Sequence, residues 1–136
     1  RRDEIAARVK EVCVKLGLGN YLVRRPKELS GGQQQLVALA RAIVKNPSVC
    51  LLDEPLSNVD AQKRPEVRKL IVDTLRQVGC TVVYVTHDIS EAFAIADKIF
   101  VLDNGKMVLS GTPNEVAVSG HPLITSARSA NDYDID

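Results

Sequence analysis

Two short apolar runs, each ending in polar residues, most constrain how this chain can fold. They are SVCLLDEP at residues 48–55 and CTVVYVTHD at residues 80–88, and a stretch with helical apolar spacing separates them. Apolar strands with a helix between them predict a mostly parallel sheet covered on both faces. The sequence therefore indicates an α/β fold, in which chemistry takes place just past the carboxyl ends of the strands.

The segments before the first run predict two helices joined by an irregular link. Residues 3–16 have the spacing of an amphipathic helix that glycines end. Its apolar face consists of Ile5, Val9, Val12 and Leu16. Residues 20–29 predict the link, and a second helix is predicted from Ser30 to the pair Asn46-Pro47, which stops it.

The segment between the two runs predicts a helix that closes at Gly79. Asp60 is a candidate cap for this helix, and Pro65 predicts either a kink or a later start. The second run is followed by ISEAFAIAD, which predicts a short helix.

The last part of the chain predicts a hairpin and a brief helix. The strands KIFVLD and KMVLSG meet at Asn104-Gly105, a dipeptide typical of two-residue hairpin turns. TPNEVAVS then predicts a brief helix with Thr112 as its cap. The polar stretch SARSANDYDID is expected to be mobile.

Composition and charge argue against several classes of protein. The net charge is +1 with acids and bases interspersed, so no basic patch indicates a nucleic acid partner. No window approaches the roughly 18 apolar residues of a membrane span, and Arg1-Arg2 precedes a charged stretch, not a signal peptide core. The cysteines, Cys13, Cys50 and Cys80, have neither zinc spacing nor even number, which favours buried thiols in a reducing compartment.

The residues at the start of the second helix allow two interpretations. Ser30 and Gln33 match a capping box, and this alone would make the segment an ordinary capped helix. Gly31 and Gly32 do not fit that reading, because each glycine costs up to about 1 kcal/mol against alanine in a helix. A bare helix start can instead meet an anion such as phosphate. The residues themselves leave both readings open.

Carboxylates and a histidine end the two apolar runs. Asp53 and Glu54 end the first run, and His87 follows the second. They could be solvated strand ends and a structural histidine. Alternatively, Asp53 could hold Mg²⁺, which prefers oxygen ligands, and Glu54 could polarise an attacking water. If the two strands are neighbours, about 4.8 Å apart, Glu54 and His87 would emerge at the same edge of the sheet.

Four segments together resemble an ABC-type ATPase. This family has the P-loop NTPase fold, a three-layer sandwich of a sheet between helices. The four segments are LSGGQ at 29–33, VCLLDEP at 49–55, SNVD at 57–60 and THD at 86–88, in the order of the family's signature motif, Walker B strand, D-loop and H-loop. The closing stretch GKMVLSGTPNEV resembles importers of this family.

The resemblance implies a role for each matching residue. The signature residues would contact the γ-phosphate of ATP held by a second subunit; they are Ser30, Gly31, Gly32 and Gln33. Asp53 would organise Mg²⁺ through water. Glu54 would be the catalytic base, and His87 would hold the γ-phosphate and water in line.

The D-loop residues would lie across the dimer seam and link two ATP sites; they are Ser57, Asn58 and Asp60. The sequence departs from the family pattern at Leu36, where arginine is common, and at Pro65. No G-x-x-x-x-G-K-[ST] occurs in the chain, so the phosphate cradle of Walker A is absent from it.

We therefore expect the C-terminal portion of an ABC ATPase domain in residues 1–118. Residues 1–46 would be part of the helical subdomain, residues 47–118 part of the core sheet, and residues 119–136 a polar tail. Without the P-loop strand, the strands at 81–85 and 98–102 would have unpaired edges. The chain alone would then be poorly stable or pair with another copy.

The resemblance implies an ATP-hydrolysing importer subunit at the cytoplasmic face of the membrane, bound peripherally. Its partners would be a second ATPase subunit, giving a homodimer, and transmembrane permease subunits, with no nucleic acid. ATP and Mg²⁺ would be required. Two alternatives stay open: a soluble ABC ATPase unconnected with transport, and a non-catalytic fragment that completes a partner's site through its signature motif.

Overall fold

The chain forms two compact units in the computed structural model, Arg1–Val85 and Thr86–Asp136. The structure describes residues 2–131, and it describes side chains only as far as residue 127. Within the described residues, no helix is both long and apolar enough to cross a membrane.

The first unit contains three helices and a parallel pair of strands. In chain order the elements are α1 (Arg2–Lys15), α2 (Gly31–Ile43), β1 (Val49–Asp53), α3 (Arg64–Val78) and β2 (Thr81–Val85). Strands β1 and β2 pair in parallel from Val49↔Thr81 to Asp53↔Val85. The prediction that the two apolar runs are neighbouring parallel strands is confirmed.

The core of the first unit lies between the helices and one face of this strand pair. Its most deeply buried side chains are Leu16, Ile43 and Leu56. Cys50 of β1 and Ile71 of α3 belong to the same cluster. The predicted apolar face of α1 was wrong at its first position, because Ile5 lies 62% exposed near the start of the helix.

The other face of the strand pair is exposed. Leu51 is 74% exposed, and Val49, Val83 and Val85 are each about half exposed. The expectation of a sheet covered on both faces is therefore not met by the residues that the structure describes. Because side chains alternate along a strand, one face packs against the helices and the opposite face stays open.

Local sequence explains the limits of α3. Ala61–Lys63 forms a 3-10 turn, and Pro65 lies in the first turn of α3, so the later start is confirmed and no kink is needed. Asp60 does not cap through its carboxylate; its carbonyl oxygen accepts from the Lys63 and Arg64 amides instead. Gly79 ends α3 with φ of 73°, a left-handed conformation that glycine adopts readily.

The link between α1 and α2 is more ordered than the sequence predicted. Two 3-10 turns, Gly19–Tyr21 and Pro26–Glu28, interrupt it. The Arg24 guanidinium lies 4.7 Å from the centroid of the Tyr21 ring, a cation–π distance that helps to hold the first of these turns.

The second unit consists of a hairpin and short helices. Its elements are α4 (Ile89–Ile95), β3 (Ile99–Asp103), β4 (Lys106–Gly111), α5 (Pro113–Val118) and α6 (Pro122–Asn131). The antiparallel hairpin turns at Asn104 and Gly105, which both have positive φ, as the sequence predicted. Thr112 caps α5 and accepts from the Glu115 amide.

The end of the chain differs from the expected polar tail. Residues 122–131 form α6, and Ile124 is only 3% exposed, packing in a cluster with Ile99 and Val116. The apolar pair Leu123 and Ile124 in an otherwise mostly polar segment was a weak signal for this helix. The remainder of the segment expected to be mobile, residues 132–136, lies outside the described residues.

Candidate functional site

The predicted capping box forms at the start of α2. The Gln33 amide donates to Ser30 Oγ at 3.3 Å, and the Ser30 amide donates to Gln33 Oε1 at 3.0 Å. Ser30 and Gly31 are exposed, and Gly32 and Gln33 are half-buried. The first turn of α2 therefore lies at the surface of its unit and is accessible from solvent.

The two glycines of this turn lie against the loop that follows β1. A Cβ atom on Gly31 would lie 3.3 Å from both Cβ and the backbone oxygen of Asn58, and one on Gly32 would lie 3.4 Å from Val59 Cγ2. The limited space beside these glycines thus supplies a local reason for glycine that the sequence did not reveal.

Gln35 links α2 to the same loop. Its Nε2 donates to Ser57 Oγ at 3.2 Å, whereas its buried Oε1 has no hydrogen-bond partner. Sequence reasoning did not single out Gln35, because a polar residue one turn into a helix usually faces solvent. The loop is also held at its far end, where Arg64 Nε donates to the Val59 carbonyl at 3.1 Å.

Glu54 lies at the carboxyl end of β1 in a strained backbone conformation. Its φ is 47°, which is uncommon for a residue other than glycine. Its amide donates to the Val85 carbonyl at 2.9 Å, and its carbonyl accepts from the Ser57 amide at 3.2 Å. These bonds tie Glu54 to the end of β2 on one side and to the following loop on the other.

Asp53 offers a carboxylate suited to a hydrated divalent cation. It is the last residue of β1, and it is exposed. Among the described residues, no group of three or more His, Cys, Asp or Glu side chains could enclose a metal ion. One exposed carboxylate fits Mg²⁺, which keeps several waters and needs only one or two protein carboxylates beside substrate phosphates.

His87 belongs to the second unit and is exposed. The residues that flank it, Thr86 and Asp88, are held by hydrogen bonds. Asp88 caps α4, and its Oδ1 accepts from the Ser90 amide at 2.8 Å and from the Glu91 amide at 3.3 Å. The predicted strand-to-helix transition around His87 is confirmed.

The predicted site residues thus fall into the two units. The first unit brings the signature turn of α2 and the D-loop residues Ser57 and Asn58 together, with Asp53 and Glu54 directly before that loop. Asp60 ends the loop and carries no side-chain cap hydrogen bond. In the chain, only Thr86 separates His87 from Val85, whose carbonyl binds the Glu54 amide.

The cysteines lie apart from these residues and fit the prediction of buried thiols. Cys13 and Cys50 are buried, and Cys80 is half-buried. Burial raises the pKa of the Cys13 and Cys50 thiols above its ordinary value, and for Cys50 the nearby Cys80 adds to this rise. Buried thiols with raised pKa values are poor nucleophiles.

Comparison with known proteins points to one family for this chain. A family model described as ABC transporter matches residues 1–57. Over 115 residues, which are 85% of this chain, the chain is 51% identical to the trehalose/maltose import ATP-binding protein MalK of Thermococcus litoralis. It is also 51% identical over 111 residues, or 82% of the chain, to the xylose/arabinose import ATP-binding protein XacK of Haloferax volcanii.

The matched regions cover only part of each relative. They span 31% of the Thermococcus litoralis protein and 29% of the Haloferax volcanii protein. Among solved structures, cbiO1 from Clostridium perfringens, part of the ABC transporter complex cbiONQ, matches 99% of this chain with a TM-score of 0.80 and 30% identity. That match covers 52% of the cbiO1 chain.

The structural likeness shows the P-loop NTPase-type fold of ABC ATPases in partial form, and the sequence likeness is to import ATP-binding proteins. This chain belongs to the ABC transporter family of ATP-binding proteins, as part of its ATPase domain.

Proposed function

We propose that this chain is the signature- and Walker B-bearing portion of the ATP-hydrolysing subunit of an importer. The observation that carries the proposal is the parallel pairing of β1 with β2, in which the Glu54 amide binds the Val85 carbonyl. The carboxyl ends of parallel strands are where α/β folds place their chemistry. Similarity to import ATP-binding proteins supports transport over a soluble ATPase role.

In this proposal Glu54 is the general base for the attacking water. A positioned general base contributes about 10² to 10⁴-fold to a hydrolysis rate. His87 holds the γ-phosphate and the water in line, and Asp53 binds Mg²⁺ through water. When bound, Mg²⁺ neutralises charge on the phosphates.

The signature turn acts on ATP bound by a second copy of the subunit. Ser30, Gly31, Gly32 and Gln33 form this helix start, where the helix dipole favours an anion. The amides of Ser30 and Gln33 donate within the capping box, so we assign the contact to the Ser30 hydroxyl and to the amides of Gly31 and Gly32. Closing two subunits on two ATP molecules would then drive transport through permease subunits. This role would place the subunit peripherally at the cytoplasmic face of the membrane.

The D-loop is proposed to join the two ATP sites. Ser57 and Asn58 contact α2 through Gln35 and Gly31, so a displacement of the signature turn would reach the loop directly after Glu54. Asp60 closes the loop before α3. We propose that these three residues cross the dimer seam.

The isolated chain is proposed to be inactive. It contains no G-x-x-x-x-G-K-[ST] segment, and in P-loop enzymes that segment and its lysine cradle the ATP phosphates. We expect negligible ATP turnover by the 136-residue chain, and turnover by a complete subunit that includes such a segment.

Steady-state ATP hydrolysis by the complete subunit tests the proposal. Glu54→Gln should lower kcat by at least about 100-fold while ATP still binds, since only the base is lost. Glu66→Gln is the control, because Glu66 is exposed in the first turn of α3. Normal hydrolysis by Glu54→Gln would overturn the assignment of the base.

Reconstitution with the permease tests the importer role separately. Hydrolysis should rise when the subunit is assembled with its membrane partner in vesicles and transported solute is present. A rate that is indifferent to the permease would support the soluble alternative.

A further inference from the structure

Among the described residues of the second unit, the most deeply buried acidic side chain has no role in the proposed reaction. Glu91, in the first turn of α4, is 5% exposed. A buried carboxylate is unfavourable unless hydrogen bonds replace the water it loses. The partners of this carboxylate are therefore informative about its purpose.

One partner of Glu91 is the residue immediately before His87. Thr86 Oγ1 donates to Glu91 Oε2 at 2.9 Å. The same hydroxyl oxygen accepts from the Asp88 amide at 3.0 Å, so Thr86 both donates and accepts. Because Thr86 and Asp88 flank His87 on either side, this chain of hydrogen bonds spans the histidine's backbone.

A second set of bonds fixes the same segment from α4. The Asp88 carboxylate accepts from the Glu91 amide and from both the amide and hydroxyl of Ser90. Glu91 is thus bonded through its backbone to Asp88 and through its side chain to Thr86. With both neighbours held, His87 has little freedom to change its backbone angles while its imidazole stays exposed.

We propose that Glu91 is a positioning residue for His87, acting through the hydroxyl of Thr86. The inference rests on the proposed function, in which His87 holds the γ-phosphate. Glu91 is outside the LSGGQ, Walker B, D-loop and H-loop segments that resemble the family. In this inference its carboxylate fixes the loop through Thr86 and acts on the nucleotide only indirectly.

Variants of Glu91 and Thr86 in the complete subunit test this. Glu91→Ala should lower kcat for ATP hydrolysis by at least about tenfold, because misplacing a catalytic group by about 1 Å costs up to 100-fold. The KM for ATP should change less than about threefold, since binding is not disturbed. Glu91→Gln keeps an oxygen acceptor for the Thr86 hydroxyl and should retain most of the rate.

Two substitutions of Thr86 form the second part of the test. Thr86→Val removes the hydroxyl and should lower kcat as much as Glu91→Ala does. Thr86→Ser keeps the hydroxyl and should keep kcat close to that of the unmodified subunit. Glu115→Gln is the matched control, because Glu115 is an exposed glutamate in the capping box of α5. This arm remains decisive if Glu91→Ala fails to fold.

A double-variant comparison separates positioning from a general loss of structure. Combining Glu91→Ala with His87→Ala should reduce kcat no further than His87→Ala alone. Full additivity, or equal rates for Thr86→Val and Thr86→Ser, would overturn the inference. If His87→Ala itself hydrolyses ATP normally, the proposed role of His87 fails; if only Glu91→Ala and Thr86→Val are normal, the inference alone fails.

Discussion

Gly31 packs closely against Asn58: a Cβ atom added to Gly31 would lie 3.3 Å from the Asn58 carbonyl oxygen. This contact joins the first turn of the signature helix to the loop that follows the acidic pair. Two motifs that lie 27 positions apart in the sequence (31 to 58) therefore pack against each other. Side chains larger than hydrogen at position 31 must displace that loop.

Alanine at Gly31 should reverse the usual helix preference. Inside a helix, glycine to alanine is favourable by up to about 1 kcal/mol. At Gly31 we expect the free energy of unfolding to fall by about 1 kcal/mol, because the added carbon crowds a backbone oxygen. Thermal unfolding of the complete subunit measures this.

Gly19→Ala is the matched control for Gly31→Ala. A Cβ atom there would meet only Val14 Cγ2 at 3.8 Å, an ordinary contact. Its effect should stay within about 0.5 kcal/mol. Stabilisation by Gly31→Ala would show that the loop yields freely and would contradict the tight packing.

The bond between Gln35 and Ser57 should appear as coupling between two substitutions. Gln35→Ala and Ser57→Ala remove the same hydrogen bond, so their effects on the free energy of unfolding should fall short of additivity by about 0.5–1 kcal/mol. Gln34 offers the control, because its Nε2 bonds the carbonyls of Pro26 and Leu29. Gln34→Ala combined with Ser57→Ala should be additive; coupling of equal size would refute a specific link.

The three cysteines should differ in reactivity towards alkylating reagents. Cys80 is half-buried, while Cys13 and Cys50 are buried and their thiol pKa values are raised by that burial. Under native conditions at neutral pH, Cys80 should be labelled first and the others only on unfolding. Mass spectrometry of peptides after timed iodoacetamide treatment checks this order, and early labelling of Cys50 would contradict the packing.

The exposed face of the β1–β2 pair should make the isolated chain associate. Leu51 is 74% exposed on that face, and among the described residues no further strand pairs with either outer edge of β1 and β2. Leu51→Lys should increase the monomer fraction in sedimentation or gel filtration. Val23→Lys is the control, because Val23 is 94% exposed outside the sheet.

A monodisperse monomer with a cooperative melting transition would oppose this prediction. In that case the exposed apolar face would neither destabilise the chain nor cause it to associate, and the expectation of a poorly stable or self-associating fragment would fail.

Periodicity and cap residues predicted most elements of the fold. The start of α3 at Arg64 with Pro65 in its first turn, the Asn104-Gly105 turn, the capping box at Ser30 and the cap at Thr112 all follow from short-range chemistry that the sequence displays. Ile5 was misassigned because periodicity marks a helix face over its whole length, whereas burial depends on what packs against each turn.

The candidate site was only partly predictable. Spacing could identify Asp53, Glu54 and His87 as strand-end residues, and the resemblance supplied their roles. The packing of Gly31 on Asn58 and the bond from Gln35 to Ser57 depend on a contact between distant segments, which no local pattern encodes. The buried carboxylate of Glu91 was hidden for the same reason.

Glu54 has a left-handed backbone conformation, which lowers stability at a position where the proposed function requires a carboxylate. Among the described residues, the other non-glycine positions with positive φ are asparagines, Asn46 and Asn104, which tolerate that conformation. Glutamate does not adopt a left-handed conformation readily, and the strain amounts to about 1–2 kcal/mol. Glycine at this position would relieve the strain and raise the free energy of unfolding, but it would remove the carboxylate that the proposed reaction requires. If the proposed role of Glu54 holds, the fold gives up part of its stability to keep an acid at the end of β1.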